Sequence, residues 1–437
     1  MVFRPFSWIV TLGMLASALL IAFRNPGYAS APAAFAPAFR TFGVTVRREK
    51  VVIQRVTLEA QPGSVLERLQ ASMKRLRVQG RQIVSEDGSP FVWRFATGFR
   101  LVDYVADGDE AAAVAFLDWA AKEGFTGVRV LSTLCCWFDL APADGQRALA
   151  RLLALAQARG LYLEVVGLAR RMDRAAMVSH VRAIGRICST SPACAAIELA
   201  NENGHPTQQG DLTDRGFLRK LKSLVPAGVP VSMGSNCCGQ DDEHEWYPGG
   251  DYITIHTDRS GDAWNRTSHL RELESLSART GRFVVDDEPI GAGDVDQPGR
   301  RSTNPNEYFA RGVLSRVFGV GATWHCEACL HATVPGPVQQ ASATAFIAGT
   351  RIVPDDVLLR FQNVGSVNSP VKAFKSLTKS GGATNTAVGA FSGLGRSINI
   401  LALIGVTGDP GVVHQNGWRT RRVLDERPGV RVLEIVR

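Results

Sequence analysis

The chain has 437 residues, of which 45% are hydrophobic and 21% charged, so it can bury a large core and has the composition of a globular protein. Its formal net charge is +8, carried mostly by scattered arginines without a dense basic block. Nucleic-acid binders more often concentrate basic residues in a stripe interleaved with aromatic side chains. We therefore expect no nucleic-acid partner, and the charge supports only a weak preference for anionic polymers.

The first residues have the layout of a secretory signal peptide. A short basic start at Met1 to Arg4 is followed by an apolar run from Trp8 to Phe23 and by small residues for cleavage at Ala29 to Ala31. The apolar run is short for a membrane span, but a basic residue follows it, so an uncleaved membrane anchor is the alternative. Residues 1–31 thus predict a secreted, periplasmic or extracellular protein that contacts a membrane only if this segment is uncleaved.

The cysteine content fits export, because an even number of cysteines in an exported chain argues for disulfide bonds. The chain has eight cysteines, and Cys188 and Cys194 are the best candidates for a local bond. Cys326 and Cys329 form a CxxC pair, but no second CxxC accompanies it. We therefore expect no metal site built from cysteines.

A regular alternation of strand and helix patterns begins near residue 93 and repeats eight times. The strands are predicted at Trp93–Phe99, Thr126–Ser132, Leu161–Leu168, Ala195–Ala200, Pro230–Gly234, Tyr252–His256, Arg282–Asp286 and Ala322–Cys326. Eight such units with right-handed crossovers close most simply into an α/β fold of the (β/α)₈ TIM-barrel type. An open doubly wound sheet is the alternative, although no Gly-rich nucleotide loop follows the first strand.

The segments that flank this repeat have other patterns. Residues 32–77 predict a tether followed by a strand and a helix, and the barrel itself spans residues 78–354. Its first part, Val78 to Phe91, predicts a hairpin with Asp87-Gly88 at the turn, which would cover the bottom of the barrel. Residues 355–437 contain short apolar or alternating runs separated by turn residues, which predict a small C-terminal all-β domain.

Polar residues at the predicted strand ends identify the candidate site. The apolar fourth strand stops abruptly at Asn201 and Glu202, and Glu288 follows the seventh strand. In a TIM barrel the C-terminal ends of the strands converge on one pocket, so these two glutamates can face each other across its mouth. Retaining glycoside hydrolysis needs such a pair, with one carboxyl held protonated for the leaving oxygen and the other ionised to attack the anomeric carbon.

These motifs also resemble a known family. Glu198-Leu-Ala-Asn201-Glu202 resembles the strand-four Asn-Glu motif of clan A glycoside hydrolases, family five and its relatives, and Phe283 to Gly291 resembles their strand-seven nucleophile segment. The resemblance implies an exported retaining enzyme that cleaves β-glycosidic bonds of an oligo- or polysaccharide by double displacement, without a cofactor or metal. In it, Glu202 is the acid/base and Glu288 is the nucleophile.

The same resemblance implies four substrate-binding or supporting residues. Asn201 would bind the 2-hydroxyl of the sugar, and Arg129 would keep Glu288 ionised, because a nearby cation favours the charged form of a carboxyl group. His256 would orient a carboxylate or hydroxyl, and Trp324 would form an apolar platform for a sugar ring.

Two features depart from the family pattern. In the family, a proline usually comes soon after the strand-four glutamate, whereas here three residues, Asn203-Gly204-His205, separate Glu202 from the proline. The strand-seven segment also carries an additional pair of acidic residues, Asp286 and Asp287.

Two other functions stay open from the sequence. One is a metal-dependent barrel hydrolase or lyase that would use Asp286, Asp287 and Glu288 with His256 or His325 as ligands. Adjacent residues on a strand point to opposite faces, which argues against a shared ion for all three carboxylates. The other is a non-catalytic barrel that binds glycans at the cell surface.

Overall fold

A computed structural model of the chain divides into two units, Met1–Val65 and Leu66–Arg437. The structure describes residues 40–47, 50–57, 73–136, 138–208, 210–236, 244–257, 267–288, 291–292, 301–302, 304–326, 334–356, 358–360, 385–393, 396–406, 414–415 and 418–436. In the first unit, strands β1 (Arg40–Arg47) and β2 (Lys50–Thr57) pair antiparallel. The predicted signal peptide and residues 64–72 of the predicted helix lie outside the described residues.

A short hairpin precedes the barrel, and its turn differs from the predicted one. Strands β3 (Leu76–Gln79) and β4 (Gln82–Ser85) pair antiparallel around Gly80 and Arg81. Gly80 has a φ of 59°, in the left-handed region that glycine adopts without a steric penalty. The predicted turn at Asp87-Gly88 is also present, after the hairpin: the Ser85 N–H donates to the Ser89 carbonyl at 2.9 Å, and Val84 forms an antiparallel bridge with Pro90. The prediction identified this turn but not the Gly-Arg turn that joins β3 and β4.

Eight parallel strands form the centre of the second unit. They are β5 (Arg94–Thr97), β6 (Gly127–Leu131), β7 (Tyr162–Leu168), β8 (Cys194–Ala200), β9 (Val231–Ser232), β10 (Ile253–Ile255), β11 (Val284–Asp286) and, after the short pair β12 (Gly291–Ala292) and β13 (Arg301–Ser302), β14 (Gly321–Trp324). Hydrogen bonds connect them in the order β10-β11-β14-β5-β6-β7-β8-β9. The seam between β9 and β10 is bridged by the Ser232 and Thr254 hydroxyls, 2.8 Å apart. The predicted (β/α)₈ barrel is confirmed.

Helices follow the strands as the alternation predicts. They are α1 (Leu101–Ala106), α2 (Glu110–Glu123), α3 (Pro142–Gln157), α4 (Arg174–Thr190), α5 (Arg215–Lys222), α6 (Thr267–Thr280), α7 (Pro305–Phe318) and α8 (Pro337–Thr350). Local sequence sets their ends. The Asp109 side chain accepts a hydrogen bond from a backbone N–H in the first turn of α2, and Gly124 ends that helix with a φ of 99°. Asn304 and Gly319 do the same for α7.

The bottom of the barrel is apolar and closed by the hairpin. Leu76 and Ile83 of the hairpin belong to one buried cluster with Phe95, Tyr162 and Tyr252 from the barrel strands. This packing seals the N-terminal end of the barrel. Polar side chains in the interior therefore gather toward the opposite end, where the strands finish.

The C-terminal segment forms an antiparallel sheet, which confirms the predicted all-β region. Its strands are β15 (Leu358–Arg360), β16 (Asn385–Gly393), β17 (Arg396–Val406), β18 (His414–Gln415), β19 (Trp418–Arg427) and β20 (Gly429–Val436). They are ordered β15-β16-β17-β20-β19-β18. The sheet contacts the barrel at α7, where the Arg427 guanidinium lies 3.9 Å from the centre of the Phe309 ring. Among the described helices, none combines the length and apolar character that a membrane crossing needs.

The cysteines correct one prediction. Cys188 and Cys194 are both free and buried, so the expected bond between them is wrong. Cys188 packs in the core and Cys194 directs its thiol to the Ala196 carbonyl at 3.7 Å, so the two behave as small buried side chains. A disulfide bond joins the adjacent residues Cys135 and Cys136, in the loop after β6. Cys326 is also disulfide-bonded.

Trp324 generates the first prediction. Its ring lies 5.6 Å from Trp119 and 6.0 Å from Phe125 between centroids, and its Nε1 donates to the Ser342 hydroxyl at 3.0 Å. We expect Trp324→Ala to lower the free energy of unfolding by about 3–5 kcal/mol, because it empties a packed aromatic cluster. Urea denaturation measures this. Trp324→Phe, which keeps a ring, should lose less than half as much, and a loss below about 1 kcal/mol for the alanine variant would contradict the packing role.

Candidate active site

The C-terminal ends of four barrel strands bring five of the six predicted site residues together. Arg129 lies on β6, Asn201 and Glu202 follow β8, His256 follows β10, and Glu288 lies two residues beyond β11. All five interact directly with at least one other member of the group. The arrangement is therefore a single cluster at the mouth of the barrel.

Arg129 is the centre of this cluster and is fully buried. Its guanidinium donates to Glu198 Oε2 at 2.6 Å and 3.0 Å, to Glu288 Oε1 at 2.7 Å and to Asn201 Oδ1 at 2.8 Å. Burial alone would lower the pKa of Arg129, but the charges of Glu198 and Glu288 raise it well above its ordinary value. Arg129 is thus a permanent cation that fixes one oxygen of Glu288.

Glu202 has an unusual backbone. Its φ is 49°, in the left-handed region that costs energy for residues other than glycine. The carbonyl of Glu202 accepts from the His205 N–H at 2.8 Å, which closes a tight turn. Buried Asn203 holds this turn, since its side chain donates to the carbonyls of Leu212 at 2.7 Å and Met233 at 3.2 Å. The strained backbone of Glu202 is therefore held in place by the neighbouring residue, Asn203.

His256 lies between the two glutamates. Its Nδ1 is 3.3 Å from Glu202 Oε1 and 3.7 Å from Glu288 Oε2. Burial alone would lower the pKa of His256, but the charge of Glu288 and the hydrogen bond to Glu202 raise it to about 9. The Nε2 atom is 3.3 Å from an Arg129 nitrogen, so a neutral ring would accept there and keep its hydrogen on Nδ1. In either protonation state Nδ1 carries a hydrogen toward the carboxylates.

The two carboxyl groups approach each other closely. One oxygen each of Glu202 and Glu288, together with a ring nitrogen of His256, lie within 4.8 Å of one another. Three such atoms at this spacing have the geometry of a possible metal site. A ring nitrogen that carries a hydrogen cannot ligate a metal, however, so a metal there would first have to displace the proton that the pKa of His256 favours.

The acidic segment Asp286 to Glu288 does not converge on one ion. Asp286 accepts from Arg311 and from Thr257, the latter at 2.6 Å, whereas Asp287 accepts from the Thr323 hydroxyl at 3.0 Å. Glu288 alone reaches the mouth. The ligand set of the metal-dependent alternative, with all three carboxylates, is therefore not assembled.

The predicted platform residue, Trp324, does not lie at the site. It is 1% exposed and packs outward against helix residues, so its assignment as a substrate platform is wrong. Side chains alternate along β14, and the next residue, His325, faces the site instead. Its Nε2 is 3.9 Å from Glu288 Oε2 and its Nδ1 is 2.9 Å from the Thr97 hydroxyl.

His205 is a neighbour of the site that sequence reasoning did not assign. Its Nδ1 accepts from the Thr207 N–H at 3.2 Å, so a neutral ring carries its hydrogen on Nε2. That Nε2 lies 3.9 Å from Glu202 Oε2, the oxygen that His256 does not contact. The signal in the sequence was the three-residue departure from the family motif, in which His205 is the last residue.

Comparisons with known proteins agree with this fold. No protein-family model and no curated protein sequence matches the chain. A protein from Bacteroides vulgatus that is proposed to be a glycoside hydrolase superposes with a TM-score of 0.57 at 13% identity, over 92% of this chain and 89% of that one. The native form of a beta-glucanase from Saccharophagus degradans gives a TM-score of 0.50 at 11% identity, over 67% of this chain and 98% of that one. These likenesses confirm the fold that the resemblance to clan A glycoside hydrolases implied.

His256 gives the second prediction, a pH dependence of stability. Its pKa is about 9 in the folded protein, against about 6.5 in an unfolded chain. Its stabilising contribution is therefore complete below about pH 6.5 and is lost as the pH rises through about 9. We expect the free energy of unfolding to fall by up to about 1.4 kcal/mol per pH unit in this window. Urea denaturation between pH 6 and pH 10 measures the slope.

The matched control is His205→Gln, which removes a more exposed imidazole. His256→Gln should remove the slope that continues above about pH 7 toward pH 9, and His205→Gln should keep it. A slope that persists unchanged in His256→Gln would refute the assignment.

Proposed function

We propose that this protein is an exported retaining glycoside hydrolase that cleaves β-glycosidic bonds by double displacement. The observation that supports it most is the approach of the Glu202 and Glu288 oxygens to within 4.8 Å. Retaining enzymes hold their two carboxyl groups about 5–5.5 Å apart, whereas inverting enzymes separate them by about 6.5–9.5 Å to admit a water molecule. The spacing thus favours direct attack by a carboxylate on the sugar.

Glu288 is the nucleophile of this proposal. Arg129 donates to its Oε1 at 2.7 Å, which favours the ionised form and leaves Oε2 as the attacking atom. In the first step Oε2 bonds to the anomeric carbon as the bond to the leaving oxygen breaks. A glycosyl-enzyme ester is the intermediate.

Glu202 is the acid/base. It gives its proton to the leaving oxygen in the first step and takes a proton from the attacking water in the second, which breaks the ester. The Nδ1–H of His256, 3.3 Å away, stabilises the carboxylate that forms between these steps. His205 Nε2 lies near the other oxygen at 3.9 Å.

Asn201 contacts the substrate in this proposal. Because its Oδ1 accepts from Arg129, its amide nitrogen is directed away from the guanidinium and can donate to the 2-hydroxyl of the sugar. Arg129 and His256 are almost completely buried, so they orient the carboxylates rather than form the binding surface. The substrate is an oligo- or polysaccharide.

The proposal of export has support from the cysteines. Disulfide bonds persist in oxidising compartments and are rare in the cytosol. The bond between Cys135 and Cys136 and the bonded state of Cys326 fit a protein that functions outside the cytoplasm.

The third prediction tests the two glutamates separately with aryl glycosides and azide. Glu288→Gly should lose hydrolysis, and azide should restore turnover with inversion, because azide then attacks directly from the vacant side. Glu202→Ala should lower the hydrolysis rate of substrates with poor leaving groups by about 10²–10⁴-fold. Azide should restore its activity with retention, because azide then attacks the glycosyl-enzyme. Proton NMR of the glycosyl azides distinguishes the two products.

Glu110→Ala is the matched control, since Glu110 is a partly exposed glutamate on α2 that pairs with Arg151 away from the site. It should keep wild-type activity. Hydrolysis that survives Glu288→Gly would overturn the assignment of the nucleophile. Loss of activity on EDTA treatment with recovery on metal addition would favour the metal-dependent class, and binding without turnover across a glycan panel would favour the non-catalytic one.

A further inference from the structure

Two adjacent aspartates, Asp286 and Asp287, are both fully buried but have opposite surroundings. Asp286 forms an ion pair with Arg311, which lowers the pKa of Asp286 against the effect of burial. Asp287 points into the barrel, where its Oδ1 accepts from Thr323 at 3.0 Å. A buried aspartate without a hydrogen-bonded cation has a large desolvation cost, and Arg129 acts on Asp287 only through its charge, so the surroundings of Asp287 require an explanation.

The nearest acidic neighbour of Asp287 is Glu164 on β7, which is also fully buried. Glu164 Oε1 accepts from the Tyr252 hydroxyl at 2.6 Å. Glu164 Oε2 and Asp287 Oδ2 are both buried without a donor among the described residues. One oxygen each of Glu164, Asp287 and Glu198 lie within 4.8 Å of one another. The two carboxyl groups are within hydrogen-bonding reach of each other, and each has one buried oxygen to which no described residue donates.

Arg129 does not provide this hydrogen. Its hydrogen bonds go to Glu198, Glu288, Asn201 and His256, and none of them reaches Glu164 or Asp287. Glu198 is paired with Arg129 at 2.6 Å and so already has a cation of its own. Among the described residues, the hydroxyls of Tyr252 and Thr323 also face the pair, but each already donates to the other oxygen of its carboxyl partner.

We infer that Glu164 and Asp287 share a proton, so that they form a neutral-acid and carboxylate pair beneath the two catalytic glutamates. The proton supplies the hydrogen bond that both buried oxygens lack and removes one of two adjacent like charges. Asp287 is in this way a positioning residue for the neighbouring nucleophile. It adds no second full charge that would compete with Glu288 for Arg129. The shared proton itself does not depend on the proposed glycosidase activity, whereas the positioning role of Asp287 rests on it.

The electrostatics of both groups agree. Burial, with the charge of Glu198, raises the pKa of Glu164 to about 7, and burial with the charge of Glu164 raises the pKa of Asp287 well above its ordinary value. An unfolded chain releases these protons near pH 4. The stability that the shared proton contributes is therefore complete below about pH 4 and is lost as the pH rises through about 7.

The fourth prediction uses amide variants of the full chain. In Asp287→Asn or Glu164→Gln, the amide N–H replaces the shared proton, so each variant should fold. In wild type this pair should make the unfolding equilibrium constant rise by up to tenfold per pH unit between pH 5 and pH 7, and the contribution should vanish in both variants. Infrared spectra at pH 7 should show a protonated carboxyl C=O band that both variants lose.

Asp286→Asn is the matched control, since it removes the adjacent buried aspartate that has a cation. It should remove the carboxylate that pairs with Arg311, lower the thermal midpoint strongly and keep the carboxyl band. The inference is overturned if the wild type has no such band, or if Asp286→Asn loses it. It is also overturned if added Na⁺, Mg²⁺ or Ca²⁺ raises the midpoint of wild type but not of Asp287→Asn or Glu164→Gln, because a cation would then occupy the place of the proton.

Discussion

The buried guanidinium of Arg129 is the interaction on which the mouth of the barrel depends. It connects the second barrel strand with Glu198 on the fourth and with Glu288 beyond the seventh, so residues far apart in sequence meet at one cation. Removing one partner of a buried ion pair lowers the free energy of unfolding by about 3–5 kcal/mol, because the other charge stays buried without compensation. The fold therefore depends on Arg129 and its carboxylate partners together. The same hydrogen bonds that stabilise the fold also orient Glu288. A change at Arg129 would therefore alter both the stability of the fold and the geometry of the site.

The barrel interior changes character along its axis. Its bottom is an apolar cluster that the hairpin residues Leu76 and Ile83 complete, and its top holds the charged groups. Tyr252 connects the two layers, because its ring lies in the apolar cluster and its hydroxyl donates to Glu164. This apolar cluster excludes water from the side of the carboxyl groups that faces the N-terminal end of the barrel. Their charges must therefore be balanced within the protein, by Arg129, by His256 or by a retained proton.

The sequence predicted strand order well and side-chain direction less well, for a physical reason. Periodicity and strand count placed Glu202 and Glu288 at the ends of the fourth and seventh strands, because those positions depend only on where each strand stops. Successive side chains of a strand point alternately into the barrel and out toward the helices. Choosing between Trp324 and His325 therefore requires the exact register, because a shift of one residue exchanges the two faces. Glu164 was overlooked in an apolar strand, since its contact with Asp287 arises from barrel closure, which local patterns do not encode.

The loop after the fourth strand shows how a departure from a motif can be built into a site. Residues 203–205 close a turn on the Glu202 carbonyl, and Glu202 enters that turn with a left-handed backbone. Such a conformation persists only where the surroundings hold it, and the buried amide of Asn203 provides this hold through two carbonyls. The turn also places His205 near the carboxyl oxygen that His256 leaves free. The strain at Glu202 is therefore linked to a carboxyl group with an imidazole beside each of its oxygens.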